Sequence, residues 1–168
     1  MDVFKEQNVV KLQDSSDTGK KVLFSVTAIM IAATAFLFTF GTMIMMLGML
    51  IAAGALYGGY YLVTSLYVEY EYILTNGEVD FDKIMAQRSR KRLVTVKLSA
   101  ATDFGKVDPE HDISDADAYV VATANDPEQQ DYYLRVKHGG LGDVVIYFTP
   151  NEEMIGLMKQ FFPRELRR

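Results

Sequence analysis

One stretch of 47 residues, Val22–Val68, contains no Asp, Glu, Lys, Arg or His, and it limits the possible folds of this chain more than any other feature. A helix needs about 20 apolar residues to cross the hydrocarbon core of a bilayer. One straight helix of this stretch would be about 70 Å long, more than twice that thickness. Two crossings joined by a turn at Phe40-Gly41-Thr42 fit better, because glycine relaxes the backbone where helices meet. We therefore predict a helical hairpin with helices over about residues 22–40 and 43–66.

A signal peptide is the alternative interpretation of the first apolar helix. Such a peptide has an apolar core of about 7–15 residues followed by a cleavage site, whereas this apolar run is much longer. Lys20 and Lys21 flank the first helix, the basic run Arg88–Arg92 follows the second, and the turn between them carries no positive charge. The positive-inside rule then places both termini in the cytoplasm. We expect a multi-pass protein of the inner (cytoplasmic) membrane.

The distribution of charge divides the chain into an N-terminal cytoplasmic tail over residues 1–20, a transmembrane hairpin over residues 21–67 and a cytoplasmic domain over residues 68–168. Small residues recur four positions apart in both predicted helices, a spacing that lets helix backbones approach closely. They are Ala28 and Ala32 in the first helix and Gly54 and Gly58 in the second. Either the two helices pack on each other through these residues, or Gly54 and Gly58 mediate dimerisation.

After the hairpin the apolar residues alternate with polar ones, which is typical of strands. The segment YVEYEYILT is followed by Asn76-Gly77, the strongest short signal for a β-hairpin, and further strand patterns follow at EVDFDKIMA and RLVTVKLSA. Residues 102–117 are acidic and irregular, and three more strand patterns come after them, AYVVATA, DYYLRVK and DVVIYFT. The domain is thus predicted to contain six or seven antiparallel strands.

The C-terminal segment changes to a helical period. Thr149 precedes Pro150, and Glu152 lies three residues after the threonine, which matches a capping box with proline at the first helical position. The segment EEMIGLMKQFF then places its apolar residues on one stripe, and Pro163 ends the helix.

Strands closed by a C-terminal amphipathic helix resemble the pleckstrin-homology-like (PH-like) fold, an antiparallel barrel or curved sheet with such a helix. More specifically, the chain resembles small bacterial membrane proteins in which a two-helix hairpin precedes a PH-like domain. The segments YEYILTNGEVDFDKI, RSRKRLVTVKL and IYFTPNEEMIGLMKQFF carry the resemblance, which covers roughly residues 20–162. It implies membrane anchoring and an interaction domain, and no known enzymatic activity.

The basic run is the candidate binding site. A strand that leaves the membrane and returns after a tight turn brings this run back to the membrane surface, where each Lys or Arg gains about 1 kcal/mol near anionic lipid. We expect Arg88, Arg90, Lys91 and Arg92 to contact lipid headgroups; the alternative is a solvated turn that only sets topology. Nucleic acid is disfavoured as a partner because the net charge is −5.

Several kinds of chemistry are disfavoured. The chain has no cysteine, which removes disulfides, thiolate nucleophiles and cysteine-based metal sites. His111 and His138 lie in turn-like segments, no nucleophile–base pair stands out, and the apolar helices hold no ionisable residue. We therefore expect a non-enzymatic module without metal or cofactor, whose partner is membrane lipid or an unidentified protein. The alternative is a structural or accessory subunit that self-associates or joins a larger membrane complex through its hairpin.

Overall fold

The computed structural model of the chain describes residues 2–108 and 115–167, so His111 and the centre of the acidic segment lie outside the described residues. The chain forms two compact units. The hairpin unit is Gln13–Tyr67, and the sheet unit combines Met1–Leu12 with Val68–Arg168. The hairpin unit is therefore an insertion within the sheet unit rather than a segment that precedes it.

The hairpin unit consists of α1 (Ser15–Thr39) and α2 (Met45–Ser65). α1 begins seven residues before the predicted start because the Asp14 carboxylate caps it, accepting a hydrogen bond from the Asp17 N–H at 2.7 Å. The connecting turn lies at the predicted position, with Gly41 at a φ of 74°. Both helices are long and apolar enough to cross a membrane, and most of their side chains are exposed, unlike those of a soluble core helix.

Small residues allow the close approach of α1 and α2. Ala28, Ala32 and Thr39 are buried on α1, and Gly48 and Gly59 are buried on α2. A Cβ atom added at Gly59 would clash with the Ala28 Cβ, and one added at Gly48 would clash with the Thr39 hydroxyl. The helices therefore pack through a small-residue surface, as close helix contacts in membranes commonly do.

The sheet unit contains eight strands within the described residues. They are β1 (Phe4–Val10), β2 (Val68–Thr75), β3 (Glu78–Met85), β4 (Ser89–Lys97), β5 (Ala101–Lys106), β6 (Ala118–Ala122), β7 (Tyr132–His138) and β8 (Gly142–Phe148). The first sheet has the order β1-β2-β3-β4, and the second has the order β5-β7-β8-β6. A 3-10 turn, Leu98–Ala100, connects the sheets along the chain, and α3 (Glu152–Lys159) and a second 3-10 turn, Arg164–Leu166, follow β8.

The core of the sheet unit is aromatic at its centre. The rings of Tyr72, Phe81 and Phe148 lie with their centroids 5.3 Å, 5.4 Å and 5.6 Å apart. The buried Tyr72 hydroxyl donates to the carbonyl of Ala122 and accepts from the Thr149 N–H, so its polar group is satisfied. Burial raises the pKa of this hydroxyl well above its usual value.

The segment predicted as an N-terminal tail contains a strand of the sheet unit. β1 pairs antiparallel with β2 from Phe4, opposite Thr75, to Val10, opposite Glu69. A side-chain contact also holds β1 in place, because the Gln7 amide donates a hydrogen bond to the Thr149 carbonyl at 3.0 Å. The sequence pattern is weak here because β1 is an edge strand with a single fully buried apolar residue, Val9.

The prediction of a strand-rich domain followed by a helix is confirmed, but its details differ. Every strand pair of the first sheet is antiparallel, whereas β6 runs parallel to β8 in the second. The described strands form two separate sheets, so closure into a barrel is not confirmed. Residues 102–106, the first part of the segment predicted to be irregular, belong to β5, which pairs with β7.

The C-terminal helix is short and has a different cap from the predicted one. α3 spans eight residues, and the Asn151 side chain caps it by accepting from the Met154 N–H at 2.8 Å. Thr149 is instead buried at 3% exposure, where its hydroxyl accepts from the Ala124 N–H and donates to Asp131. The predicted cap was wrong because the helix begins at Glu152, so the capping position is occupied by Asn151, two residues after Thr149.

Candidate functional site

The first sheet has one end at which the chain leaves for the hairpin unit and returns from it. Val10, the last residue of β1, lies opposite Glu69, and the Lys11 N–H donates to the Val68 carbonyl at 3.0 Å. Val68 in turn lies opposite Met85, the last residue of β3. The β3–β4 turn is therefore at this junction end of the first sheet, and the basic run Arg88–Arg92 begins there.

The β3–β4 turn has a strained backbone. Ala86 and Gln87 have φ values of 53° and 54°, and the Arg88 N–H donates to the Met85 carbonyl at 3.0 Å. Turns with two positive φ values favour Asn-Gly, which the β2–β3 turn has at Asn76-Gly77. A non-glycine residue in this region costs roughly 1–2 kcal/mol. The junction end thus carries strain that the opposite end of the same strands avoids.

A bulge places the basic residues of β4 on two faces of the first sheet. Val94 lies opposite Phe81, but Arg92 rather than Leu93 lies opposite Asp82, so the register shifts by one residue. The bulged residue Leu93 packs against the core. As a result Arg90 and Arg92 project from the face that bears Asp82, which is the face away from the core.

The two arginines form an ion-pair network with buried carboxylates. Arg90 pairs with Glu71 and, at 2.8 Å, with Asp82. Arg92 pairs with Asp82 at 2.8 Å and with Asp80 at 3.0 Å. Asp82 is 2% exposed and Glu71 is 6% exposed, so both carboxylates depend on these guanidinium groups for compensation.

This network changes the interpretation of the predicted headgroup contact. The hydrogen bond that Arg92 donates to Asp82 raises the pKa of Arg92 above its ordinary value. Two guanidinium groups face three carboxylates, so Arg90 and Arg92 add no net positive charge to their face. Arg88 and Lys91 are also exposed on the same β-hairpin. The four predicted residues therefore lie in one β-hairpin but not on one surface, because Arg90 and Arg92 project from the face that bears Asp82 and Lys91 from the opposite face.

A pair of lysines, Lys83 and Lys91, lies on the opposite face of the first sheet. The predicted headgroup contact includes Lys91 but not Lys83. Lys83 of β3 stands directly opposite Lys91 of β4, and Tyr70 of β2 stands opposite Lys83 in the same row. Tyr70 belongs to the core face, so both lysines project from that face near the junction end. The alternation of residues along β3 predicts the face from which Lys83 projects. Which residue of β4 lies opposite Lys83 depends on the geometry of the β3–β4 turn and could not be predicted from the sequence.

The second sheet also presents an exposed edge. β6 is its edge strand, and Tyr119 and Val121 on that strand are 49% and 58% exposed. An edge strand offers unpaired backbone groups to an incoming strand. β6 is therefore an exposed apolar edge of the sheet unit.

The predicted helix-packing residues separate into two groups. Ala28 and Ala32 are buried within the hairpin unit. A Cβ added at Gly54 or Gly58 would meet no atom within 4 Å, so these glycines do not mediate the packing of α2 on α1. Gly54 and Gly58 therefore lie on the side of α2 that does not contact α1.

The described residues show no grouping of three or more histidine or acidic side chains suited to a metal ion. His138 Nδ1 accepts hydrogen bonds from the N–H groups of Gly140 and Leu141, both at 3.1 Å, so this ring shapes the β7–β8 turn.

A family model described as Bacterial PH-like domain (DUF6106) matches residues 1–168. No curated protein and no solved structure gives a significant match to the chain.

Proposed function

This chain belongs to the family of bacterial PH-like domains, and from that premise we propose that it is a membrane-anchored interaction module at the cytoplasmic face of the inner membrane. Its helical hairpin spans the bilayer, and its sheet unit contacts anionic lipid headgroups or a protein partner. The module has no catalytic role in this proposal.

The position of the basic run at the junction end of the first sheet carries this proposal. Met85 lies opposite Val68, where the chain returns from the hairpin unit, and Arg88 follows three residues later. A hairpin that spans the membrane would keep this end near the lipid surface. Basic side chains near an anionic surface gain about 1 kcal/mol each, which favours docking of this end.

Hydrogen–deuterium exchange of the full chain in lipid nanodiscs tests headgroup contact. We expect the peptide over residues 84–92 to exchange more slowly in discs with phosphatidylglycerol than in discs of phosphatidylcholine alone. Changing Arg88 and Lys91 to Gln should remove this difference while leaving the ion-pair network intact. Equal exchange of the unaltered chain in both discs would reject lipid docking.

Binding of a protein partner is favoured by the exposed edge of the second sheet. An extended segment that adds to β6 would pair with its backbone and cover Tyr119 and Val121. Cross-linking in native membranes through a photoreactive residue at position 121 should give a discrete adduct if this edge binds a protein. A photoreactive residue at position 128, which is exposed outside the sheet, serves as the matched control.

Self-association through the hairpin is the second candidate function, because Gly54 and Gly58 face open space rather than α1. Glycines four apart allow a second helix to approach α2 closely. The variant Gly54→Ile/Gly58→Ile should then lower the oligomer mass measured in detergent. An unchanged mass would remove the glycine-dependent form of this candidate.

A further inference from the structure

We infer that Lys83 and Lys91 form a binding site for the phosphate group of an anionic lipid, an inference that rests on the proposed function and names the ligand of its lipid-binding surface. The two lysines are directly opposite each other on neighbouring antiparallel strands. Their Cβ atoms are therefore about 5 Å apart, and like charges at this spacing destabilise a sheet. An anion between the two ammonium groups would remove this repulsion.

Within the described residues, no carboxylate compensates this pair. Along β3 the neighbours of Lys83 on the same face are Phe81 and Met85, and across the sheet it faces Tyr70. No ion pair or hydrogen bond of either lysine side chain is found in residues 2–108 and 115–167. The first sheet therefore places its acidic residues beside the arginines on one face and leaves two lysines unneutralised on the other.

The surroundings of the lysines suit a phosphate group. Lys83 is partly buried and stands in the row that contains Tyr70. A lysine in such a position can lay its alkyl stem along apolar surface while its ammonium group stays in water. Lys91 is exposed at the edge of the sheet, and Ser89, two residues away on the same face, is exposed as well. Lysine binds phosphate as a compact charge with three donors, so two lysines can share the oxygens of one group.

The location of the pair indicates lipid rather than free phosphate as the source. Lys83 is two residues from Met85, which lies opposite Val68 at the junction end. A site linked to a membrane-spanning hairpin meets lipid phosphate at a high effective concentration, because the link keeps the site close to the lipid surface. A phosphate on a lipid can therefore occupy the pair even when the intrinsic affinity is modest.

The test uses the full chain in neutral detergent at constant ionic strength, with its melting temperature followed during titration. The probes are dihexanoyl phosphatidic acid, dihexanoyl phosphatidylcholine and inorganic phosphate. We expect phosphatidic acid to raise the melting temperature, with an apparent affinity at least tenfold weaker in Lys83→Gln and in Lys91→Gln. Lys106→Gln on β5 removes the same charge from an exposed position and should change the affinity by less than twofold. Lys83→Arg should retain binding.

Without added anion, Lys83→Gln and Lys91→Gln should each melt at a higher temperature than the unaltered chain, because the repulsion is relieved. The site is overturned if phosphatidic acid does not stabilise the unaltered chain, or if both lysine variants behave like Lys106→Gln. Equal affinity for inorganic phosphate and phosphatidic acid would overturn the assignment to lipid. The nanodisc experiment separates this site from the proposed function. If phosphatidylglycerol slows hydrogen–deuterium exchange over residues 84–92 equally in the unaltered chain and in the lysine variants, the site is refuted and the proposed function stands.

Discussion

At the scale of single residues, the charges of the first sheet are sorted by face. Asp82 is buried on the outer face of a sheet, where a carboxylate is stable only with close cationic partners, and it has Arg90 and Arg92 at 2.8 Å. Exposed basic residues that follow a membrane segment would ordinarily be assigned to lipid. Here two of them stabilise the fold, and the lysines on the other face are the better candidates for a ligand.

The β3–β4 turn gives a direct test of backbone strain. Replacing Ala86 by Asn and Gln87 by Gly supplies the residues that favour positive φ, so the free energy of unfolding should rise by about 1 kcal/mol. Thermal or urea unfolding of the full chain in detergent measures the change. A decrease in stability would show that the turn is not strained in the way its φ values indicate.

The reverse exchange at the β2–β3 turn is the matched control. Asn76→Ala/Gly77→Gln should destabilise the protein, because the Val3 N–H loses its acceptor, the Asn76 side chain, at 2.8 Å. A Cβ at Gly77 would also lie 2.7 Å from Cδ1 of Phe161. Stabilisation by both exchanges would contradict this account of the two turns.

The Arg135–Asp143 pair between β7 and β8 predicts a pH dependence. The hydrogen bond from Arg135, at 2.7 Å, lowers the pKa of Asp143 below its usual value of 3.8. A lowered pKa in the folded state means that the pair stabilises the fold above the unfolded pKa, and that this stabilisation is lost as the pH falls through the folded value. Asp143→Asn should therefore lower the melting temperature at pH 7 and have less effect at pH 2. Arg135→Gln should show the same trend, and an equal loss at both pH values would be inconsistent with it.

At the scale of elements, the sequence pattern was most informative where a strand or helix has one buried face. β2 and β3 were predicted at nearly their observed limits because apolar residues alternate along them and Asn76-Gly77 separates them. β1 and β5 were missed because they are edge strands with few buried residues. The parallel pairing of β6 with β8 depends on tertiary contacts, so the local sequence pattern of either strand does not predict it.

The candidate site was only partly predictable for a related reason. The sequence shows that basic residues cluster after β3, but the bulge at Leu93 decides which of them share a face. A bulge adds one residue to one strand and reverses the alternation beyond it. The pairing of Lys83 with Lys91 and of Arg92 with Asp82 therefore required the structure.

The two adjacent glycines of α2 provide a matched test of helix packing. Gly59→Ile should destabilise the hairpin unit, because a side chain there clashes with Ala28, whereas Gly58→Ile places its side chain in open space. The expected result is a clearly lower melting temperature in detergent for Gly59→Ile only. Equal effects of the two substitutions would show that α1 and α2 do not meet at Gly59.

At the scale of the whole molecule, the hairpin unit is inserted between two neighbouring strands of the first sheet. β1 and β2 are already paired at the junction end, with the Lys11 N–H 3.0 Å from the Val68 carbonyl. Both ends of the insertion thus leave one sheet side by side. This connectivity makes the N-terminal residues part of the PH-like domain rather than a separate tail.

This connectivity predicts that the hairpin unit can be removed. Replacing residues 13–67 with a short glycine-containing loop should give a monomeric, water-soluble domain that unfolds cooperatively, because β1 and β2 then form an ordinary β-hairpin. Circular dichroism and thermal unfolding without detergent measure the outcome. Removing residues 2–10 from that domain should abolish folding, since Val9 and the Gln7 contacts would be lost. A domain that folds equally well without β1 would contradict the insertion.

The central claim is that the apolar hairpin crosses the inner membrane and leaves the PH-like domain in the cytoplasm. The chain has no native cysteine, so single cysteines can be placed at Thr42 in the hairpin turn and at the exposed Glu128 of the sheet unit. In spheroplasts treated with a membrane-impermeant maleimide, Thr42→Cys should be labelled at once, and Glu128→Cys only after lysis. Labelling of both positions in intact spheroplasts, or of Glu128→Cys alone, would contradict the account.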